Sequence, residues 1–408
     1  MRNRGLIRLL CLAALAAGSA SAPAAKWEID PTLRLQAGYN DNVTMRAEKE
    51  VSSPVVIFSP SARFGVETPR SGLNGDLRFD FRRFTDQSNL DDDNVRLSVS
   101  SFYGMEQSQI GLDLGLIKDT TLDSELEQTG LVFNRLDRLQ YSANPYWSWI
   151  FNVRTRLTLS YTYTDVSYSD TGNTGYVDFT SNNGQLSLVH MPTERMTLTL
   201  TAGQTRSQNE GNVDSTFSFL QGGATYELSD TLSTSLSAGA RQTKSEFDNS
   251  PIPIYSGSLF QGFITVPGQS ENSSTGMVFR ASLTKRFERG RSNISASRNV
   301  TNAASGYLTE ITRFDTNNSY NLSPTFSVNL GFTIARSRTP DDSPVNSAQD
   351  RDYYEITPGF DWEFEEFWRI SASYRYRKQI YDNSSKDTAQ NATYLTLTYR
   401  WPRMTVSR

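Results

Sequence analysis

The sequence of 408 residues predicts an all-β fold, an up-and-down antiparallel transmembrane β-barrel of about 18 strands, with roughly 16–18 compatible with the pattern. Three observations lead to this prediction. Apolar and polar side chains alternate along most of the chain, short and long connections alternate between the segments, and the tryptophans lie near the short connections.

The alternation has the two-residue period of a β-strand with one apolar face. In the first such segment Leu33, Leu35 and Tyr39 share one face, and Arg34 and Gln36 share the other. Similar segments recur to residues 391–401, and none is long and apolar enough for a membrane-spanning helix. Every backbone N–H and C=O in lipid must be paired within the protein, so such strands must close into a barrel.

The connections between the segments alternate in length. Tight turns such as MEQS at residues 105–108 alternate with long polar stretches such as residues 85–93 and Lys244 to Ser273. Short turns on one rim, long loops on the other and an even strand count are typical of outer-membrane barrels. Both ends of the mature chain are then expected at the short-turn rim, which faces the periplasm.

The tryptophans support the same architecture. All six fall at ends of segments next to short turns or at the termini, where they are expected to form a periplasmic aromatic belt at one membrane interface. They are Trp27, Trp147, Trp149, Trp362, Trp368 and Trp401.

The N-terminal segment has the features of a secretory signal peptide. Three arginines precede a short apolar core and a run of small residues, which predicts cleavage after Ala24. Residues 1–24 are therefore assigned to the signal and residues 25–408 to the barrel, in the outer membrane of a Gram-negative bacterium. The only cysteine, Cys11, lies in the signal, so we expect no disulfide and no thiolate metal site in the mature chain.

Composition excludes several classes of function. A net charge of −4 argues against a nucleic-acid partner. Barrel enzymes commonly use a histidine as general base, and the one histidine, His190, is expected at the short-turn rim. No nucleotide-binding or zinc motif is present, so we expect no catalytic residues, no metal and no cofactor. The acidic run Asp91 to Asp93 is expected to be a solvated loop, with a divalent-ion site as the alternative.

Arginine recurs on the polar face of the predicted strands. A charge facing lipid there would cost several kcal/mol near the midplane, so this face is assigned to the lumen. Arg96 and Glu355 fall on it as well. The candidate lumen-lining residues are Arg34, Arg78, Arg82, Arg154, Arg156, Asp361, Glu363, Arg369, Arg375, Arg377 and Arg400.

These arginines allow two interpretations. Arginines along a wet pore bind carboxylate or phosphate groups and favour anionic solutes. Alternatively, they are the positive half of ion pairs within the lumen, because Glu355, Asp361 and Glu363 on one strand face arginines on the next.

Two stretches resemble a known family. W-E-I-x-P-x-L-x-L from Trp27 to Leu35, followed by Y-N-D-N-V from Tyr39 to Val43, is similar to the opening of the PEP-CTERM system-associated outer-membrane β-barrel proteins, close to the β-barrel porin 2 group. IFSPSARFGVE at residues 57–67 and the ending LTYRWP are similar too. The resemblance implies an outer-membrane location and an association with exopolysaccharide export.

The expected function is that of a channel or porin linked to exopolysaccharide export or secretion. The alternative is a barrel plugged by its own loops, with residues Lys244 to Ser273 folding inward, which serves as a surface or assembly component of an envelope system. The expected partners are outer-membrane lipid and lipopolysaccharide, an anionic polysaccharide or small anionic solute, and periplasmic export proteins. The tail after Trp401 is expected to hang into the periplasm or to follow an internal assembly signal.

Overall fold

The computed structural model describes residues 25–47, 49–128, 135–169, 171, 176–210, 213–256, 259–302, 308–338, 350–382 and 387–407. The predicted signal peptide lies outside the described residues. The strands are β1 (Lys26–Asn40), β2 (Ser53–Glu67), β3 (Ser71–Phe84), β4 (Asp92–Gly104), β5 (Ser108–Thr120), β6 (Asp137–Asn152), β7 (Thr155–Tyr168), β8 (Phe179–Thr193), β9 (Met196–Asn209), β10 (Val213–Ser229), β11 (Leu232–Ser256), β12 (Leu259–Phe287), β13 (Gly290–Asn302), β14 (Leu308–Asn321), β15 (Phe326–Arg338), β16 (Arg351–Glu365), β17 (Trp368–Tyr381), β18 (Thr388–Arg400) and the short β19 (Met404–Ser407).

The strands β1 to β18 form a closed antiparallel barrel, which confirms the predicted fold class. Each strand pairs with its neighbours in sequence, and β1 closes the barrel by pairing Thr32–Asn40 with β18. Eighteen strands leave a wide interior, as in porins. The predicted tail after Trp401 does not hang free, because β19 continues beyond Pro402 and pairs with the first residues of β1.

The connections reproduce the predicted alternation, with two exceptions. Turns of two to four residues follow β2, β4, β6, β8, β10, β12, β14 and β16, and we call this end of the barrel the short-turn rim. Most connections at the opposite, long-loop rim are longer. The exceptions are the links after β9 and β11, where the strands continue further than the alternation of side chains indicated.

Side chains alternate between the outer surface and the lumen. On β1, Leu35 and Tyr39 are 47% and 51% exposed on the outside, whereas Arg34 and Gln36 line a cavity inside the barrel. Most apolar residues of the described strands therefore cover the outer surface. Buried apolar residues form only small clusters near the long-loop rim, such as Val43, Val55, Phe84 and Leu90.

The wall of the barrel is interrupted between β12 and β13. These two strands pair only through Phe279–Phe287 and Gly290–Arg298, although β12 begins at Leu259 and β13 continues to Asn302. Residues 245–272 were expected to be a loop that could fold inward. The described residues among them, 245–256 and 259–272, instead extend β11 and β12 as a backbone-paired hairpin. The prediction of a loop was wrong, because this segment lacks the regular apolar–polar alternation by which the other strands were recognised.

A short helix, α1 (Thr121–Gln128), lies in the connection between β5 and β6, and a 3-10 turn (Ser88–Leu90) precedes β4. Neither was predicted from the sequence. No helix in the described part of the chain is long and apolar enough to cross a membrane.

Candidate functional site

The register of the strands places nearly all of the predicted lumen residues on the inner face. Arg34 lies between Ser59 of β2 and Thr398 of β18, and the same inner row continues around the barrel. The inner residues are Arg34, Arg78, Arg82, Arg156, Asp361, Glu363, Arg369, Arg375, Arg377 and Arg400, together with Arg96 and Glu355. Arg154 was predicted to line the lumen, and this prediction was wrong. The residue lies in the exposed turn between β6 and β7 and donates to the carbonyl oxygen of Pro192.

Several of these arginines are paired with carboxylates, as the second interpretation of the sequence expected. Arg377 Nε donates to Glu355 Oε2 at 2.6 Å, and Arg369 contacts Glu363. Asp361 instead accepts from the hydroxyl of Ser371 and the amide of Asn329, both at 2.5 Å. The pairs lie across the β16–β17 ladder and hold those two strands together, so they leave little charge free for a solute.

Other arginines form no ion pair within the described part of the chain. Arg34 and Arg400 are two of them, and both line a cavity of about 510 Å³ in the short-turn half of the lumen. Five arginines and three aspartates line this cavity, which leaves an excess of positive charge: Arg34, Arg63, Arg78, Arg369, Arg400, Asp30, Asp76 and Asp361. Arg34 also lies within electrostatic reach of Arg78, Arg400 and Arg369. Asp80 lies within the same reach and is paired with Arg78. We call this space the basic cavity.

Arg375 adds a further unpaired cation on the same wall. Its guanidinium lies 5.7 Å from the centre of the Tyr394 ring, and its buried Nε has no hydrogen-bond partner among the described residues. The Tyr394 ring in turn lies across Gly38, which has no side chain to displace it. A planar guanidinium held over an aromatic face presents its remaining N–H groups to an acceptor such as a carboxylate.

Two connections from the long-loop rim fold over this side of the lumen. Val43 and Leu122 line one cavity together with Arg375 and Tyr394. Asn42 is fully buried, and its side-chain amide donates to the carbonyl oxygen of Ala389 on β18 at 3.0 Å. The Asn-Asp-Asn sequence that resembled the family motif therefore ties the first loop to the last strand.

The first turn of α1 is fixed by a polar network on Asp123. Its carboxylate accepts from Arg82 Nη1 at 2.9 Å, from Asn94 at 3.0 Å and from the hydroxyl of Thr120 at 3.1 Å. Burial favours the neutral acid, but Arg82 and these hydrogen bonds outweigh it and lower the pKa of Asp123 below its ordinary value. The carboxylate is therefore held ionised over the mouth of the lumen.

The acidic run Asp91 to Asp93 was expected to be a solvated loop. Its three carboxylates are instead bound within the protein. Asp91 accepts from the backbone N–H of Phe84 at 2.8 Å, Asp92 pairs with Arg82 at 3.2 Å, and Asp93 pairs with Arg83 at 2.8 Å. Each carboxylate has a partner within the protein, and this leaves them poorly placed to hold a cation.

The opposite wall of the lumen is different in character. The inner faces of β8, β9 and β10 carry hydroxyl, amide and phenyl groups over residues 179–189, 197–209 and 213–225, with no charged side chain. Phe217 and Phe219 both point inward and line a cavity of about 630 Å³. Sequence reasoning missed these rings, although the inward parity of FSFLQ was the signal that could have revealed them.

All six tryptophans are exposed on the outer surface at the short-turn rim. They are Trp27, Trp147, Trp149, Trp362, Trp368 and Trp401. Neighbouring rings contact one another: Trp147 and Trp149 meet edge to face at 5.4 Å, and Trp368 lies 4.7 Å from Tyr399.

The single histidine lies outside the lumen. His190 is exposed at the end of β8, and its Nδ1 is 3.0 Å from the hydroxyl of Thr155. Within the described residues, no group of histidine, cysteine and carboxylate side chains is arranged to hold a metal ion.

The fold and lumen define a large β-barrel with a polar interior. Among solved structures, the chain is similar to the outer membrane protein opdK from Pseudomonas aeruginosa, with 11% identity, a TM-score of 0.45 and coverage of 91% of this chain and 99% of that one. It is also similar to OccK2 (OpdF) of Pseudomonas aeruginosa (13% identity, TM-score 0.48, coverage 92% and 97%) and to OpdQ of Pseudomonas aeruginosa (10%, 0.47, 92% and 98%). The likeness is one of barrel architecture and supports no argument about function. The sequence matches no protein-family model, and no curated protein matches it.

Proposed function

We propose that this protein is an outer-membrane channel of a Gram-negative bacterium that admits anionic solutes. The basic cavity is the observation that carries the proposal, because Arg34 and Arg400 have no carboxylate partner among the described residues. Unpaired guanidinium groups replace part of the hydration shell of a carboxylate or phosphate, and this favours anions over cations. The outer apolar surface and the tryptophan belt support insertion in a bilayer.

The cargo class we propose is an acidic polysaccharide or a small acidic solute, in an exopolysaccharide export or secretion system. An interior bounded by 18 strands accommodates a hydrated chain. Hydroxyl groups of Thr32, Ser61, Thr396 and Thr398 lie between the arginines and would bind the neutral parts of such a solute. Transport of this kind needs no catalysis.

Reversal potentials in planar bilayers test the selectivity. Under a salt gradient the wild-type channel should prefer chloride over potassium, and the double variant Arg34→Gln, Arg400→Gln should lose most of that preference. Arg336→Gln is the matched control, because Arg336 lies on the outer surface and pairs with Asp352. A cation-selective wild type, or a double variant with an unchanged reversal potential, would contradict the proposal.

The loops over the basic wall favour a second candidate, a closed barrel that serves as a surface or assembly component. Leu122 and Asp123 of α1 lie over the cavity that contains Arg375. If this candidate is correct, the native protein will not conduct, and deletion of residues 122–134 will open it. Deletion of residues 249–267 from the β11–β12 hairpin is the control, since the described residues of this segment pair only with each other.

Location is tested separately by fractionation. The protein should remain in the outer-membrane fraction after carbonate extraction and should migrate differently in detergent gels before and after heating. Recovery in the soluble periplasmic fraction would contradict the proposed location in the outer membrane, and with it the proposed channel.

A further inference from the structure

We propose that the inner wall formed by β8, β9 and β10 binds the rings of saccharides. The proposal deepens the proposed channel function and rests on it, because it names what the cargo carries besides negative charge. This surface, which we call the amide–aromatic wall, consists of Asn183, Gln185, Thr205, Phe217, Phe219 and Gln221.

The wall lies across the lumen from the basic cavity. β10 is nine strands away from β1 in a barrel of 18, so Phe219 and Arg34 are on opposite sides. Phe219 lies ten residues from the end of β10 at the short-turn rim, and Arg34 lies eight residues from the first residue of β1 at the same rim. The two groups are therefore at similar depths, and a long solute in the lumen would meet both walls.

The Phe219 ring lies over Gly203 of the neighbouring strand. A Cβ atom on Gly203 of β9 would be only 2.7 Å from Cε1 and 2.9 Å from Cζ of Phe219, so the glycine makes room for the ring. Covering a glycine stabilises the sheet through one face of the ring. Phe219 also lines the cavity, where an apolar surface in contact with water is unfavourable. Arg138, Arg280 and Arg298 from other strands line the same cavity.

Phe217 widens this surface. Its ring is inclined by 25° to that of Phe219, with the centres 5.4 Å apart, and it also lines the cavity. No glycine of β9 or β11 lies beside Phe217, since its partners are Thr205 and Thr243. Phe217 therefore packs on Phe219 rather than on a glycine, and the two rings together form a wider aromatic surface on which a ligand can stack.

Amide groups accompany the rings in two parallel rows. Asn183, Thr205 and Phe217 lie side by side on β8, β9 and β10, and Gln185, Gly203 and Phe219 form the next row. With neighbouring strands about 4.8 Å apart, each amide lies about 10 Å from its phenyl ring along the wall. Each row thus has one phenyl ring and one amide, which are separated by Thr205 in the first row and by Gly203 in the second.

The amides have unused hydrogen-bonding capacity. Asn183 donates to the hydroxyl of Thr205 at 2.5 Å and Gln221 donates to Ser237 at 2.9 Å, which leaves the carbonyl oxygen of each amide free. The side-chain amide of Gln185 makes no hydrogen bond within the described part of the chain. Uncharged acceptors and donors of this kind suit hydroxyl groups and give no preference for ions.

A pyranose ring can contact both the phenyl ring and the amide of one row. One face of such a ring carries axial C–H groups, which stack on the electron-rich face of a phenyl ring, and its edge carries hydroxyls that reach an amide. A simple anion needs neither feature. The two rows follow each other along the strands. This arrangement suits a chain of successive sugar units better than a single small solute.

Binding of maltohexaose, a neutral hexamer of glucose, tests this inference on the full-length protein in detergent. Saturation-transfer NMR should show transfer from aromatic protons to the sugar C–H groups. Phe217→Leu with Phe219→Leu should weaken binding measured by calorimetry at least about fivefold, since a stacked pair contributes about 1 kcal/mol. Phe219→Tyr should retain the affinity of the wild type.

Phe102→Leu is the matched control, because that ring also lies over a glycine, Gly72, but on a different wall. Absence of maltohexaose binding, unchanged affinity in the double leucine variant, or equal loss in Phe102→Leu would overturn the inference. Selectivity measured on the same preparations separates the two proposals. A protein that binds maltohexaose but is not anion-selective contradicts only the proposed function, and an anion-selective protein that does not bind it contradicts only this inference.

Discussion

Arg241 on β11 and Glu310 on β14 form a buried ion pair that joins two strands which are not neighbours in the barrel. Their side chains are 3% and 8% exposed. The Arg241 guanidinium passes over Gly276 of β12, where any Cβ atom would lie 2.8 Å from it. The pair crosses the part of the wall in which β12 and β13 form no ladder, and Arg298 of β13 contacts the same glutamate.

We expect Arg241→Leu to destabilise the barrel by about 2 kcal/mol, because the buried Glu310 carboxylate loses one of its two charged partners and keeps Arg298. Urea titrations of the free energy of unfolding in detergent measure this directly. Arg336→Leu should change the free energy by less than about 1 kcal/mol, since that pair with Asp352 is on the outer surface. Equal effects of the two substitutions would show that the buried pair does not secure the interrupted wall.

Gly38→Ala should weaken the closure of the barrel. The new methyl group would lie 2.4 Å from Cδ1 of Tyr394 and 2.6 Å from the carbonyl oxygen of Thr393, on the strand that pairs with β1. Such overpacking typically costs about 1–3 kcal/mol. Gly222→Ala is the control, because nothing lies within 4 Å of its Cβ position, and its urea midpoint should match that of the wild type.

Acid should release α1 from the lumen. Asp123 has a lowered pKa in the folded protein, so its interactions stabilise the docked helix fully above the ordinary carboxylate pKa. That stabilisation is lost as the pH falls through the lowered value, when the carboxylate becomes protonated. Cys11 is the only cysteine in the sequence, so in a Cys11→Ser background a nitroxide on Leu122→Cys, in the first turn of α1, reports the release.

The pKa of Asp92, which shares Arg82, is raised by burial to about 6, so the reference spectrum is taken at about pH 8, where the label should be immobilised. The label should become more mobile at acid pH, below the ordinary carboxylate pKa. With Asp123→Asn in addition, the label should be mobile at both, because Arg82 loses its charged partner. An immobile label in that variant would show that α1 is held by contacts other than the Asp123 network.

The barrel was predictable because its signals are local. The alternation of Leu33, Arg34, Leu35 and Gln36 follows from the two-residue period of a strand, and one register decides which face each side chain occupies. Arg154 was misplaced by the same rule, since the alternation continued by chance into a turn. The full length of β11 and β12 was also missed. Outside the lipid-facing part of the barrel a strand pair needs no apolar face, so the alternation that marks the other strands is absent there.

The sequence alone determined the fold class, an approximate strand count, the two faces of most strands and the rim that carries the tryptophans, since each depends on neighbours along the chain. Only the tertiary structure decided which arginines are free. Arg377 meets Glu355, whereas Arg34 meets no carboxylate within the described residues. It also decided that Phe219 lies on Gly203 opposite the basic cavity. Such relations depend on the distances between strands far apart in sequence, and closure of the barrel fixes those distances.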